Sequence, residues 1–354
     1  MLRVKGLHEL ARKKKYQESR ATRAWKSRGK LFKTLTPLPN KEGPFFCEMS
    51  SEPQLPEEAS LLDYLLDRKD TEGIDADHFC GIKQGSEDWH RLRNEVLELT
   101  GSEFAAAVGA DEGKSRASLY YRKIGGESPT PSPYLEMMLA YGRDNEPVAL
   151  EEARVLLPML TNAKNIEETG TWVFLDVRCR LGSTPDGIIT SSTSCHQAIL
   201  EIKCPFKAPP YQSLKEPRPY IKNSHYIQVQ MEMMATSTDV GFYYVWTPEE
   251  SILAKVKAAP MFQADVLQKA EDFILDHVRP KLPPKRAVAG LKDDWTYKVK
   301  RSCDSCIQEI WVLAKGDPGY TPPDEWSVSR IYENAGVYKE NNAKMYEIDH
   351  FNKT

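Results

Sequence analysis

Two acids and a lysine, Asp186, Glu201 and Lys203, are the side chains of this sequence whose types and spacing fit them for joint chemistry. A polar run from Ser191 to His196 separates two β-rich segments, Gly187-Ile-Ile-Thr and Ala198-Ile-Leu, which reads as a hairpin. A turn centred between Thr193 and Ser194 sets Ile188 opposite Ile199 and Asp186 opposite Glu201, with the two carboxyl groups roughly 5 Å apart. Opposed like charges destabilise a sheet, so the pair makes physical sense around a cation. The period of two then puts Lys203 on the face of Glu201 and turns Ile202 the other way, into the core. Such a cluster fits metal-assisted phosphodiester hydrolysis, in which a divalent ion makes a nucleophile from water at neutral pH and neutralises the phosphate. Mg²⁺, which takes a few carboxylate oxygens and keeps waters, suits these residues better than it would a His/Cys set. The bland alternative is a solvated ladder of ion pairs on a structural hairpin.

The elements around the hairpin must bring further residues to it. Ser86 caps a helix through Trp89, Leu92, Arg93 and Val96, with Glu87 and Asp88 in its first turn. Trp89 and Arg93, four apart, share a face. Thr100-Gly-Ser-Glu opens another helix, capped by Thr100 or Ser102, that continues into Ala105-Ala-Ala. After a Pro-rich loop at Ser128 to Pro133 comes a helix over Tyr134 to Tyr141, ended by Gly142. Asn145 caps the next, with Pro147 in its first turn, so Glu146 stands at a helix N-terminus. Strands follow at Thr171 to Asp176 and in the hairpin, then a helix over Ile221 to Thr236. On that helix Gln228 and Gln230 lie about 200° apart, so they cannot face one site and one of them is expected to be exposed. A second hairpin, Val240 to Trp246 with Ser251 to Val256, precedes a last amphipathic helix ending before Pro280. The fold class is α/β: a mixed central sheet of about five strands with helices on both faces.

Length and composition set the frame. The chain has 354 residues, 40% hydrophobic and 28% charged, with a formal net charge of −3, as expected of a globular protein with ample core. No apolar run reaches the roughly 18 residues of a membrane span. Seven cysteines without regular spacing, and no signal peptide, point to a reducing compartment. Cys303-Asp-Ser-Cys306 lacks the second ligand pair of a structural zinc site. Charge is uneven: residues 1–41 hold 13 Lys and Arg against Glu9 and Glu18, a net of +11. Such an arm reads as a solvated tail, a nuclear-import signal, a DNA-contacting segment or a mitochondrial presequence, which places the protein in the nucleus or the mitochondrion.

The string Thr184-Pro-Asp-Gly followed by Leu200-Glu-Ile-Lys-Cys-Pro resembles the PD-(D/E)xK nuclease signature. With its flanking blocks it resembles the YqaJ-type viral recombinase, or phage lambda exonuclease, family. Those blocks are Gln84-Gly-Ser-Glu-Asp-Trp-His-Arg-Leu-Arg with Thr100-Gly-Ser-Glu, Tyr141-Gly-Arg-Asp-Asn-Glu-Pro, Gly170 with its strand, and Tyr226-Ile-Gln-Val-Gln, all in family order over residues 83–280. The resemblance implies a restriction-endonuclease-like core in which Asp186, Glu201, Glu146 and the Ile202 carbonyl bind one or two Mg²⁺ ions, with Mn²⁺ as a substitute. It implies that Lys203 positions or deprotonates the attacking water, that Gln228 faces the cluster, and that Arg93, Ser102 and Thr184 hold a DNA 5′-phosphate.

The implied activity is 5′→3′ exonuclease action on linear duplex DNA ends, leaving 3′ single strands for recombination or repair. A single-strand annealing protein and a ring-shaped homotrimer are implied partners. An endonuclease or single-strand exonuclease on the same core, and a non-catalytic DNA-binding scaffold, are the rival readings. The domain division that follows is a basic arm and Pro-rich linker over 1–60, a helical lead-in over 61–82, the nuclease domain over 83–283 and an accessory tail over 284–354.

Overall fold

The computed structural model describes residues 77–125, 130–161, 163–174, 177–191, 197–206, 212–216, 218–283, 289–315, 327–334 and 346–347. The basic arm, the Pro-rich linker and the helical lead-in up to residue 76 lie outside these residues. The helix expected from Ser86 forms as α1 (Glu87–Arg91), with the Ser86 hydroxyl accepting from the Trp89 amide at 3.2 Å, and runs into a single π turn over Leu92–Val96. After β1 (Leu99–Thr100), Thr100 and Glu103 form a reciprocal capping box, which settles the choice of cap between Thr100 and Ser102. Two short helices follow, α2 (Phe104–Val108) and α3 (Arg116–Lys123).

The segment expected to be two helices is one, α4 (Pro133–Leu160), which passes through both Gly142 and Pro147. Asn145 is no cap; its side-chain amide donates back to the Tyr141 carbonyl at 2.8 Å. Gly and Pro cost a helix interior about 1 and about 3 kcal/mol, but α4 lays Ala149, Ala153, Leu156 and Leu157 on the sheet, where all are buried. Burial of that face outweighs the local breakers. Glu146 therefore sits inside a helix rather than at its N-terminus.

Next come β2 (Ala163–Glu167), β3 (Trp172–Val173), β4 (Leu181–Ser183), β5 (Gly187–Ser191) and β6 (Gln197–Lys203). The crossover helix α5 (Asn223–Ala235) leads to β7 (Val240–Val245) and β8 (Glu250–Lys257). The chain ends with α6 (Pro260–Phe273), α7 (Ala289–Cys306), β9 (Ile307–Ala314), β10 (Ser327–Glu333) and β11 (Tyr346–Glu347). The main sheet has the order β11-β10-β9-β8-β7-β6-β5-β2, and β1, β4 and β3 form a small separate sheet. Five strands of the main sheet come from residues 83–283, but the strand expected at Thr171 to Asp176 forms β3 of the small sheet instead, and the unexpected β2 takes the fifth place; three more join from the C-terminal segment. β6 and β7 are parallel and every other ladder of the main sheet is antiparallel. Because parallel neighbours need a crossover, α5 is obliged to return over β6.

Strand alternation divides the core. Ile199, Tyr243, Val245, Ile252 and Ala254 pack with α5, α6 and α7, while Leu200, Ile202, Phe242, Tyr244 and Leu253 pack with α4. Cys303 and Cys306 end α7 inside the first of these cores. Among the described residues no group of three or more His, Cys, Asp or Glu stands ready-made for a metal, and no helix is long and apolar enough to cross a membrane.

Candidate active site

The hairpin register is the one expected from the sequence. Ile188 pairs with Ile199 and Gly187 with Leu200, so one step beyond the ladder Asp186 comes opposite Glu201. The Ile202 amide donates to Asp186 Oδ2 at 2.6 Å, while the Ile202 side chain is buried in the α4 core. Glu201 is 1% exposed. The Lys203 ammonium donates to Glu201 Oε1, and the same oxygen accepts from Gln228 Nε2 at 2.6 Å. Gln228 Oε1 lies 3.4 Å from Lys203 Nζ, at the outer limit of a hydrogen bond.

Two residues that sequence reasoning passed over belong here. Glu232 is fully buried, and its Oε1 accepts the second Gln228 Nε2 hydrogen at 2.9 Å. His225, half-buried, shares a 2.6 Å hydrogen bond between its Nδ1 and the Tyr243 hydroxyl. Residues 225, 228 and 232 follow the three-and-four spacing of one helix face, and that polar stripe was the available signal. Gln230 points away, as the angular argument requires. Neither glutamine is exposed, however. Gln230 is completely buried, accepting from the Ala259 amide at 2.9 Å and donating to the Lys257 carbonyl at 3.0 Å, which ties α5 to the start of α6. A buried amide must find partners, and the β8–α6 junction provides them.

Charge sets the protonation states. Burial, then Glu201, pushes the Asp186 and Glu232 carboxyls well above the usual range, and Glu146 is raised by burial and by Glu201 as well. Burial alone would lower Lys203, but Glu201 and Asp186 reverse this and hold its ammonium above its ordinary value. Glu146 thus reaches the cluster electrostatically from the middle of α4. Near it, Tyr141 of α4 packs edge-on to Phe206 just beyond β6, with ring centroids 5.3 Å apart.

Arg93 and Thr184 are brought together, Arg93 Nη1 donating to Thr184 Oγ1 at 3.2 Å. The guanidinium also lies over Trp89, 4.4 Å from the ring centroid, which realises the shared face read from their spacing. Burial lowers the pKa of Arg93 against the pull of Glu103, Glu232, Glu201 and Asp186, so this cation stands beside the acids. Thr184 is further held by Thr171, oxygen to oxygen at 2.9 Å. Ser102 is exposed on the turn before α2, and no hydrogen bond joins it to Arg93 or Thr184. Gln84 fixes the loop that carries Asp186, donating to the Pro185 and Thr169 carbonyls at 3.0 Å each. The next residue, Gly170, donates to the Cys80 carbonyl at 2.7 Å, and a side chain there would meet the Ile82 carbonyl at 2.2 Å.

Although no three of the described acids converge as a ready-made metal site, the chemistry of the donors suits a divalent ion. Glu201 Oε2 and Glu232 Oε2 are buried without a hydrogen-bond partner. Four acids, Asp186, Glu201, Glu232 and Glu146, stand with two cations, Lys203 and Arg93, so ionising all four would leave a surplus of buried negative charge, which is the cost that raises three of the carboxyls and that a divalent ion would offset.

In the comparisons with known proteins, residues 88–239 match the YqaJ-like viral recombinase domain. Among solved structures, an alkaline exonuclease from Laribacter hongkongensis is similar at 16% identity, over 61% of this chain and 97% of that one, with a TM-score of 0.40. The same enzyme in complex with dAMP gives 17% identity, the same coverages and 0.40. SSO0001 gives 15% identity, 51% and 77% coverage and 0.32. No curated protein matches the chain. All the residues of the polar cluster lie within residues 88–239, the segment that matches the YqaJ-like viral recombinase domain.

Proposed function

We propose that this protein is a Mg²⁺-dependent deoxyribonuclease, a 5′→3′ exonuclease that enters linear duplex DNA at a 5′-phosphorylated end and leaves 3′ single strands for recombination or repair. The observation that carries the reading is the joint placement of Asp186, Glu201 and Lys203 on one hairpin, with Glu201 Oε2 buried and unpartnered. The match of residues 88–239 to the YqaJ-like viral recombinase domain supports it.

Asp186, Glu201 and Glu146, with the Ile202 carbonyl, would hold the ion. When bound, it supplies an activated water and neutralises charge on the phosphate. Lys203 stays cationic and presents a fixed charge to the phosphate oxygens. Gln228 pins Glu201 and faces Lys203, so neither can swing away. Arg93, steered by Trp89 and Thr184, gives a planar fork of donors suited to a terminal phosphate. Ser102 stands by as an exposed hydroxyl and has no such support.

The test is incubation with 5′-phosphorylated linear duplex and Mg²⁺. Asp186→Ala and Glu201→Ala are expected to abolish cutting, and Lys203→Ala to lower kcat by roughly 10²–10³-fold. Full activity in either acid variant would end the catalytic assignment. Closed circular duplex should survive, because an exonuclease needs an end; its cleavage would favour the endonuclease reading.

A further inference from the structure

His225 is the outermost member of the α5 stripe, one turn before Gln228 on the same face, and its ring is half-buried. Its partner Tyr243 lies on β7 opposite Glu201 and is 2% exposed. The shared bond fixes the tautomer. Among the described residues the Tyr243 hydroxyl has no other acceptor, and it is too buried for water, so its proton must go to His225 Nδ1. Nδ1 is then an acceptor, and the ring proton sits on Nε2. No described residue takes that proton. Burial, Lys203 and Lys222 all disfavour a second proton on the ring, so the imidazole stays neutral. Tyr243, which holds the ring, lies opposite Glu201, two residues before Lys203 on β6, so His225 stands beside the Glu201–Lys203 face of the hairpin.

We infer that His225 is a substrate-binding residue whose Nε2–H donates to a phosphate oxygen of the DNA strand being cut. This inference rests on the nuclease reading above and deepens it. A neutral donor suits the position, since it adds a directed hydrogen bond to a phosphate already faced by Lys203 without adding a third cation beside Lys203 and Lys222. Tyr243 acts through the ring and is a positioning residue.

The experiment compares wild type with His225→Phe, His225→Gln and Tyr243→Phe on 5′-phosphorylated linear duplex. Binding is read by fluorescence anisotropy in EDTA, cleavage with Mg²⁺, and folding by thermal melting. His225→Phe should weaken kcat/KM by roughly ten- to hundredfold, the worth of a hydrogen bond to a charged group, and raise Kd in EDTA. His225→Gln, whose amide offers a donor near the Nε2 position, should recover most of both. Tyr243→Phe leaves the ring but frees its tautomer, and should lose less than His225→Phe. Two results overturn the inference: His225→Phe within about twofold of wild type in Kd and kcat/KM, or His225→Gln falling as far as His225→Phe in step with a lowered melting temperature. A wild type that binds duplex but never cuts it overturns the nuclease reading, while the EDTA binding series still decides whether His225 meets the phosphate.

Discussion

The acids at the centre of the site are held against their ordinary chemistry. Asp186 and Glu232 titrate well above the usual carboxylate range because burial and Glu201 disfavour their anions. In the unfolded chain both ionise near pH 4. Between that value and their higher folded values the native protein binds more protons than the unfolded one, so stability falls as pH rises through this window. Metal-free protein is therefore expected to melt at a lower temperature at pH 7 than at pH 5, and added Mg²⁺ to restore part of the difference. Asp186→Asn should raise the metal-free melting temperature at pH 7, each ~1 kcal/mol appearing as roughly 2–4 °C. Calorimetry at the two pH values checks this, and a rise in melting temperature from pH 5 to 7 would contradict the electrostatic account. Arg93 makes a second prediction at this scale. Both Arg93→Ala and Arg93→Lys should lose the preference for a 5′-phosphate, because an ammonium cannot reproduce the planar fork over Trp89. The ratio of rates on 5′-phosphorylated and 5′-hydroxyl duplex is the measurement, with about a tenfold fall expected.

At the scale of elements, α4 and α5 decide which side chains reach the hairpin. α4 is anchored by Glu152, six residues beyond Glu146 and 9% exposed. Its carboxylate accepts from the Tyr244 hydroxyl, from Ser251 Oγ at 3.0 Å, from Trp246 Nε1 at 3.0 Å and from Lys315 Nζ at 2.8 Å. Removing Lys315 alone leaves a buried charge unpaired, at a cost of about 3–5 kcal/mol. Lys315→Met should thus lower the urea midpoint, and cleavage should fall too, since the helix carrying Glu146 loses its seat. The double variant Glu152→Leu with Lys315→Met should be more stable than Lys315→Met; equal instability would mean the pair is not the anchor. The sequence reading broke α4 at Gly142 and Asn145 because local propensity favours a break there, whereas the sheet face that α4 covers is a tertiary fact. The same limit hid Glu232. Its spacing to Gln228 was visible, but only the crossover of α5 over β6 shows that this face meets Glu201.

For the whole molecule, the sheet continues past the matched family segment. β9 pairs with β8 along its length, and Trp311 and Leu313 enter the α4 core while Ile307 and Ile310 enter the other. A chain ended after Cys306 would bare the β8 edge and both core margins, and is expected to be insoluble or unfolded. A soluble, cooperatively melting product would overturn that. The basic arm predicts something different. Deleting residues 1–41, with their net charge of +11, should flatten the dependence of DNA affinity on salt by about one unit of slope per lost phosphate contact. An unchanged slope would mean that the arm does not touch DNA. What the sequence by itself determined was the hairpin: its turn composition and period of two fixed Asp186 opposite Glu201, Lys203 beside them and Ile202 turned away. These are relations between neighbours in one β-ladder, where spacing alone sets geometry. The family resemblance also named Glu146, Gln228, Arg93 and Thr184, but only the tertiary structure shows how they come to the hairpin, and it alone adds Glu232 and His225. Arg93 with Thr184, Glu146 from mid-helix, and the stripe of His225, Gln228 and Glu232 meet the hairpin because a parallel crossover and burial on two faces of a sheet bring them there, and neither is written in local spacing.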